Sequence, residues 1–267
     1  MQAMNFRGRW VLVTGASSGL GEEMARQLAR EGAHLILVAR RLERLAVLKA
    51  ELEQAHGSHC VTLAADLSRA EDVERVYREA TQAGEVYAVI LNAGITHFGP
   101  HLDLAWQQVS DLIATNVTGV VHLAHRFLPD LLARGQGGGV LLVGSMAGLM
   151  PTPFQTAYSG SKAFLSHFGQ ALAQELRGRN VSVTVFCPGG IDTAMTRDSK
   201  LSYFSNTPFL QTVQACAADG LAALRRRQTL FVPGGLNRLQ VFMARFAPRG
   251  LVARVAHDAY RRALDKA

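Results

Sequence analysis

Apolar runs of four to six residues alternate with stretches in which apolar positions recur every three or four, and glycine marks several of the joins. Trp10-Val-Leu-Val-Thr14 predicts a buried strand and is followed by Gly15-Ala-Ser-Ser-Gly-Leu-Gly21. Met24, Ala25, Leu28 and Ala29 then predict a helix that stops at Gly32. Residues 35–39, 61–64 and 86–91 read as three further strands. Between them Leu42, Leu45, Leu48 and Leu52, then Val73, Val76, Tyr77 and Ala80, fall at helical spacing. A long helical pattern over 104–132 leads into a fifth strand, 139–143. Residues 158–176 are helical, 181–186 form a sixth strand and 230–232 a short seventh. Apolar strands alternating with helices predict an α/β fold: a parallel sheet covered on both faces. With right-handed crossovers it becomes a doubly wound parallel sheet of about seven strands, with its ligand crevice at their carboxyl ends.

Composition narrows the class. The 267 residues are 48% hydrophobic and 18% charged, which describes a folded globule and excludes wholesale disorder. No Pro/Ser/Gly-rich linker divides them, so one domain over 1–267 is expected, with a loop at 190–212 and a C-terminal extension at 236–267 as appendages. The longest charge-free stretch, 135–161, is broken by Gly-Gly-Gly and two prolines and does not read as a membrane span. The first ten residues have no apolar core, so no signal peptide is expected. Cys60, Cys187 and Cys216 are too scattered for a disulfide framework, and neither they nor His122 and His125 offer a metal-ligand set. A reducing cytoplasm and no metal are the expectations.

The net charge of +7 is unevenly placed. Residues 225–267 hold ten Lys/Arg against two acids, whereas the rest holds eighteen against nineteen. Basicity is therefore a property of the C-terminus. No recognition motif accompanies it, so no nucleic-acid partner is expected.

The glycine-rich turn sits where a dinucleotide's pyrophosphate would meet a helix N-terminus, although close helix packing alone could also call for glycine there. The second strand ends in Arg40 and Arg41 where an acid would accept the ribose 2′-OH of NAD. A guanidinium suits the 2′-phosphate of NADP, so NADP(H) is favoured over NAD(H), against the reading of both as solvated first-turn charges. Tyr158 and Lys162 lie four apart on one helical face, and Ser145 ends strand five, where this fold places reactive groups. Alone, these also fit a helix-surface pair and a strand-end hydroxyl.

In order along the chain stand Thr14-Gly-x-x-x-Gly19-x-Gly21, Asp66-Leu67, Asn92-Ala93-Gly94, Asn116, Ser145, Tyr158-x-x-x-Lys162 and Pro188-Gly189-x-Ile191-x-Thr193. Together they resemble the short-chain dehydrogenase/reductase family, whose fold is Rossmann-like. Leu91 and Gly144 depart from the usual Asn-Asn-Ala-Gly and Ser-Ser patterns without removing a reacting group. The resemblance implies that Gly15, Ser17, Ser18, Gly19, Leu20 and Gly21 hold the phosphates and neighbouring ribose. It implies that Arg40, beside Arg41, selects NADP, that Asp66 and Leu67 contact adenine, and that Asn92, Ala93 and Gly94 line the adenosine side. Pro188, Gly189, Ile191 and Thr193 would flank the nicotinamide. Ser145 would bind the substrate carbonyl oxygen and Tyr158 would supply a proton. Lys162 would lower the phenol's pKa and hold the nicotinamide ribose, and Asn116 would fix a water for proton return.

The implied function is NADPH-dependent reduction of a carbonyl to an alcohol. Met195, Leu201, Tyr203, Phe204, Phe209 and Leu210 suggest an apolar ketone or 3-oxoacyl group, although they could equally pack the loop down. The alternatives are a catalytically idle NADP-binding regulator, which would suit a lost Ser, Tyr or Lys, and an epimerase-like relative, which the glycine spacing disfavours. A homodimer or homotetramer is implied. In the tail Leu239, Phe242, Met243 and Phe246 recur at helical spacing, Pro248 interrupts, and Leu251, Val252 and Val255 resume. A lid or subunit contact is the favoured reading, ahead of peripheral contact with anionic lipid and of a solvated arginine face.

Overall fold

A strand whose two faces are both apolar needs cover above and below, and that requirement organises this chain. The computed structural model describes residues 2–192 and 210–265. Its six longer strands are β1 (Trp10–Thr14), β2 (His34–Ala39), β3 (Cys60–Ala64), β4 (Val86–Leu91), β5 (Gly139–Val143) and β6 (Ser182–Phe186). Two-residue pieces follow: β7 (Gly190–Ile191) pairs with β8 (Leu210–Gln211), and β9 (Leu230–Phe231) joins the main sheet beside β6. That sheet has seven parallel strands in the order β3-β2-β1-β4-β5-β6-β9, as the alternating pattern predicts. The chain winds outward one way from β1 and the other way from β4, so a crevice opens at the carboxyl ends of that pair.

Period-two alternation sorts the core into two layers. Val11, Val13, Leu35 and Leu37 face one side with Met24, Leu28, Leu45 and Leu52 from α1 (Gly19–Arg30) and α2 (Leu42–His56). Leu12, Ile36 and Val38 face the other, with Val73 and Val76 of α3 (Ala70–Ala83).

The single long helix expected over 104–132 is divided. α4 (Trp106–Ile113) passes through a π-helical turn at Ala114–Thr118 into α5 (Gly119–Arg134), which ends at Gly135 in the left-handed conformation. Periodicity alone does not reveal one wide turn inside a continuous helix. Such turns gather at functional sites, and this one carries Asn116. α6 (Thr156–Glu175) bears Tyr158 and Lys162. α7 (Val213–Arg225), an alanine-rich helix the sequence pattern did not bring out, starts at a Thr212 cap and packs on the α1 side.

The tail forms two helices, α8 (Gly235–Phe246) and α9 (Arg249–Asp265), separated at Pro248 as expected. Leu239, Phe242, Met243 and Phe246 point outward, while smaller residues face the protein. Cys60, Cys187 and Cys216 are buried free thiols.

Candidate active site

The crevice begins where β1 turns into α1. Gly15 takes φ +68° and Gly19 φ +57°, values at which a Cβ is strained. A Cβ on Gly21 would also lie 2.5 Å from the Asn92 side-chain nitrogen and from the Gly15 carbonyl oxygen. Asn92 donates from Nδ2 to the Thr14 carbonyl at 3.0 Å, and the backbone N–H groups of Asn92 and Ala93 both donate to Thr14 Oγ1 at 3.0 Å. Thr14 therefore binds the ends of β1 and β4 together and sets the width of the cradle. Ser18, the N-cap of α1, makes no side-chain capping bond. An anion there would meet uncapped N–H groups and the positive end of the helix dipole. This cradle, free of side chains at its glycines, fits a dinucleotide.

Arg40 and Arg41 differ in a way the sequence could not show. Arg41 donates from Nη2 to both Ser17 Oγ and Ser18 Oγ at 3.0 Å, stapling the glycine-rich turn to the start of α2. Arg40 is exposed and makes no hydrogen bond or ion pair with the described residues. Both line the cavity, as do Asp66 and Leu67. The Asp66 carboxylate accepts from the Ser68 backbone N–H at 3.0 Å and hydroxyl at 2.8 Å.

At the other end stand the expected catalytic groups. Gly144 N–H donates to the Phe186 carbonyl at 2.7 Å and Met146 N–H to the Pro188 carbonyl at 2.9 Å, so the turn after β5 is tied to the turn after β6. Ser159 donates to the Ala147 carbonyl at 2.7 Å, which fixes the same turn to α6. A Cβ on Gly148 would lie 2.5 Å from the Lys162 carbonyl oxygen, so only glycine lets that turn rest on the helix. These contacts bring Ser145, Tyr158 and Lys162 to the lining of one cavity, with the Ser145 hydroxyl near enough to the phenol to favour its ionised form. Lys162 Nζ lies 5.7 Å from the centre of the Tyr158 ring and donates to the Val143 carbonyl at 2.8 Å.

The electrostatics differ from the expectation. Burial holds the Tyr158 phenol above its ordinary range, with the Ser145 contact pulling the other way. Burial also draws Lys162 down from 10.5 to about 8. In the chain alone the cost of burying charge outweighs the Ser145 hydroxyl, and the Tyr158 phenol is held neutral.

Asn116, fully buried on the π turn, accepts from Ile95 N–H at 2.8 Å and donates to the Ile95 carbonyl at 2.9 Å and to Ser161 Oγ at 3.1 Å. Ser161 in turn donates to the Tyr158 carbonyl at 2.7 Å. The Asn116 amide is thus spent on the segment after Gly94 and on α6. It positions both.

Gly15, Ser17, Ser18, Gly19, Leu20, Asn92, Ala93, Gly94, Ser145, Tyr158, Lys162, Pro188, Gly189 and Ile191 all line one cavity of about 1060 Å³. Gly21 and Asn116 stand behind its wall and shape it. Thr193 and the loop residues Met195, Leu201, Tyr203, Phe204 and Phe209 lie outside the described residues, whereas Leu210 lines the cavity. The sequence reading missed Thr14, Gly148, Ser159 and Ser161 as parts of the site. It also missed the last wall: Ala244, Ala247, Val252, Ala256 and Tyr260 of the C-terminal hairpin. Burial, together with the nearby Tyr158, pushes Tyr260 up to about 12. A small-residue face opposite a bulky one was the available signal.

A glycine cradle at the switch point is thus joined by one cavity to Ser145, Tyr158 and Lys162. The short chain dehydrogenase family model matches residues 9–203, and the chain belongs to that family. A very-long-chain 3-oxoacyl-CoA reductase of Laccaria bicolor is 38% identical over 181 residues, 66% of this chain and 53% of that protein. The chain thus spans about half the length of that curated relative. A 7beta-hydroxysteroid dehydrogenase structure matches with a TM-score of 0.84 and 25% identity, covering 96% of this chain and 99% of that one. A short-chain dehydrogenase from Sphingobium yanoikuyae in complex with NADPH matches with a TM-score of 0.79 and 27% identity, covering 90% and 96% respectively.

Proposed function

We propose that this chain is an NADPH-dependent reductase of an apolar carbonyl compound, either a ketone or a 3-oxoacyl thioester. The observation that carries the reading is that Ser145, Tyr158 and Lys162 line one cavity with the glycine cradle, whose far wall is largely alanine and other aliphatic side chains of the C-terminal hairpin. A half-buried phenol kept protonated suits donation to a developing alkoxide, and the Ser145 hydroxyl on the same wall would supply a second hydrogen bond to the same oxygen. Lys162, anchored on the Val143 carbonyl, is placed for a ribose hydroxyl at the cofactor end. Arg40 supplies a guanidinium for a 2′-phosphate, and Arg41 with Ser17 and Ser18 shapes the turn that would hold the pyrophosphate. When bound, the reduced nicotinamide supplies the hydride. The NADPH complex of the Sphingobium relative and the 3-oxoacyl-CoA named for the fungal one support this choice of cofactor and substrate class.

The test is NADPH oxidation by the full chain against a panel of bulky ketones, quinones and 3-oxoacyl thioesters of increasing length. Turnover that rises with apolar bulk is expected. NADPH binding without turnover of any of them would favour the idle-regulator alternative.

A further inference from the structure

The C-terminal hairpin has two working faces. On α8, Asn237, Gln240 and Ala244 recur every three or four residues and line the cavity. Asn237 is buried and donates to the Pro233 carbonyl at 3.0 Å, and a Cβ on Gly189 would lie 2.8 Å from its Nδ2. That side is committed to the protein. On the opposite arc Leu239, Phe242, Met243 and Phe246 are 56%, 54%, 60% and 74% exposed, and Leu236 at the start of the helix is 50% exposed. Soluble proteins seldom display a contiguous patch of large apolar side chains without a use for it.

Charge decides what covers this face. The two helices carry Arg238, Arg245, Arg249, Arg254, Arg261 and Arg262 against only Asp258 and Asp265. Asp258 is within 3.1 Å of His257 and Asp265 within 3.3 Å of Arg261, so both acids are already engaged. On α8, Arg238 and Arg245 border the exposed apolar arc. A second copy of the chain would bring like charge against like charge. An apolar arc bordered by arginines instead matches the boundary between headgroups and acyl chains of an anionic bilayer, where each arginine's stem lies along apolar surface and its head meets phosphate. No helix among the described residues is long and apolar enough to cross a membrane, so the contact is with the surface.

We propose that the outer face of the 235–265 hairpin is a peripheral docking surface for an anionic lipid bilayer. Leu251 and Val255 line the cavity and are also 52% and 63% exposed, so they form part of its rim. Docking would set that rim beside the lipid, where an apolar substrate is dissolved. The docking surface stands without any particular substrate.

The test is co-sedimentation of the full chain with phosphatidylcholine vesicles and with vesicles of phosphatidylcholine and phosphatidylglycerol. The chain is expected to pellet with the mixed vesicles at least about tenfold more strongly than with neutral ones, and to be released by salt. Phe242→Asp/Phe246→Asp is expected to remove pelleting while leaving the melting temperature and turnover of a water-soluble ketone unchanged. Arg238→Gln/Arg245→Gln is expected to abolish the preference for anionic vesicles. Folded chain that stays in the supernatant at low salt overturns the proposal, as does equal pelleting by the variants. If Phe242→Asp/Phe246→Asp instead halves the mass in sedimentation velocity, a second copy covers the face and the proposal is wrong.

Discussion

Replacing Arg40 and Arg41 separately should split the two roles proposed for them. A guanidinium has five N–H donors, and its paired recognition of phosphate needs two adjacent ones. Arg41 has committed both Nη2 hydrogens to Ser17 and Ser18, which breaks its fork, whereas Arg40 gives none of its five to the described residues. A hydrogen-bonded charge contact is worth about 1.5–3 kcal/mol, so Arg40→Ala should weaken NADPH by roughly ten- to a hundredfold. NADH, lacking the 2′-phosphate, should change by less than about twofold. The loss should shrink at high salt because the site is exposed. Arg41→Ala instead loosens a turn that both cofactors would use, and should weaken both by a similar, few-fold factor. Fluorescence titration of each variant with NADPH and NADH at two salt concentrations reads all four numbers. Equal loss of both cofactors in Arg40→Ala, or loss of NADPH alone in Arg41→Ala, would refute this assignment.

Two further substitutions probe the site's scaffold. Asn116→Ala removes three buried hydrogen bonds worth about 1 kcal/mol each, so the melting temperature should fall by roughly 5–12 °C and turnover should drop with it; a shift of about 1 °C would deny Asn116 its bracing role. Lys162 sits near 8 instead of 10.5, so between those values the unfolded chain binds more protons than the native one and this residue's destabilising effect fades as pH rises. Lys162→Met should therefore gain stability at pH 7, on the order of 3 kcal/mol before the lost Val143 contact is counted, and lose that gain by pH 10 while remaining inactive. A stability difference that does not vary with pH would mean the ammonium is not held at a cost.

The sheet was legible because its strands are short, apolar on both faces and punctuated by glycine, so period and length together left little choice. β1, β4 and β5 lie where the pattern placed them, β2, β3, β6 and β9 differ by a residue at an end, and the two-residue β7 and β8 were not foreseen. The π turn was not legible, since Ala114–Thr118 keeps helical spacing to within one position. The reacting groups could be named because their order and spacing are specific. Their supports could not, because Thr14, Gly148 and Ser161 act through backbone proximity that no linear spacing encodes. The tail shows the limit best: helical spacing picked out the bulky stripe of α8, which is exposed, but not the opposite face through Asn237, Gln240 and Ala244 that lines the crevice.

The phenol of Tyr158 is the point on which the chemistry turns. Tyr158→Phe keeps the ring and its packing and removes only the acid, so NADPH titration should give the same dissociation constant as the unaltered chain. Turnover of any carbonyl substrate found in the panel should fall by roughly a hundredfold to ten-thousandfold. Turnover within a few-fold of the original, with binding intact, would show that the proton comes from elsewhere and would contradict the account.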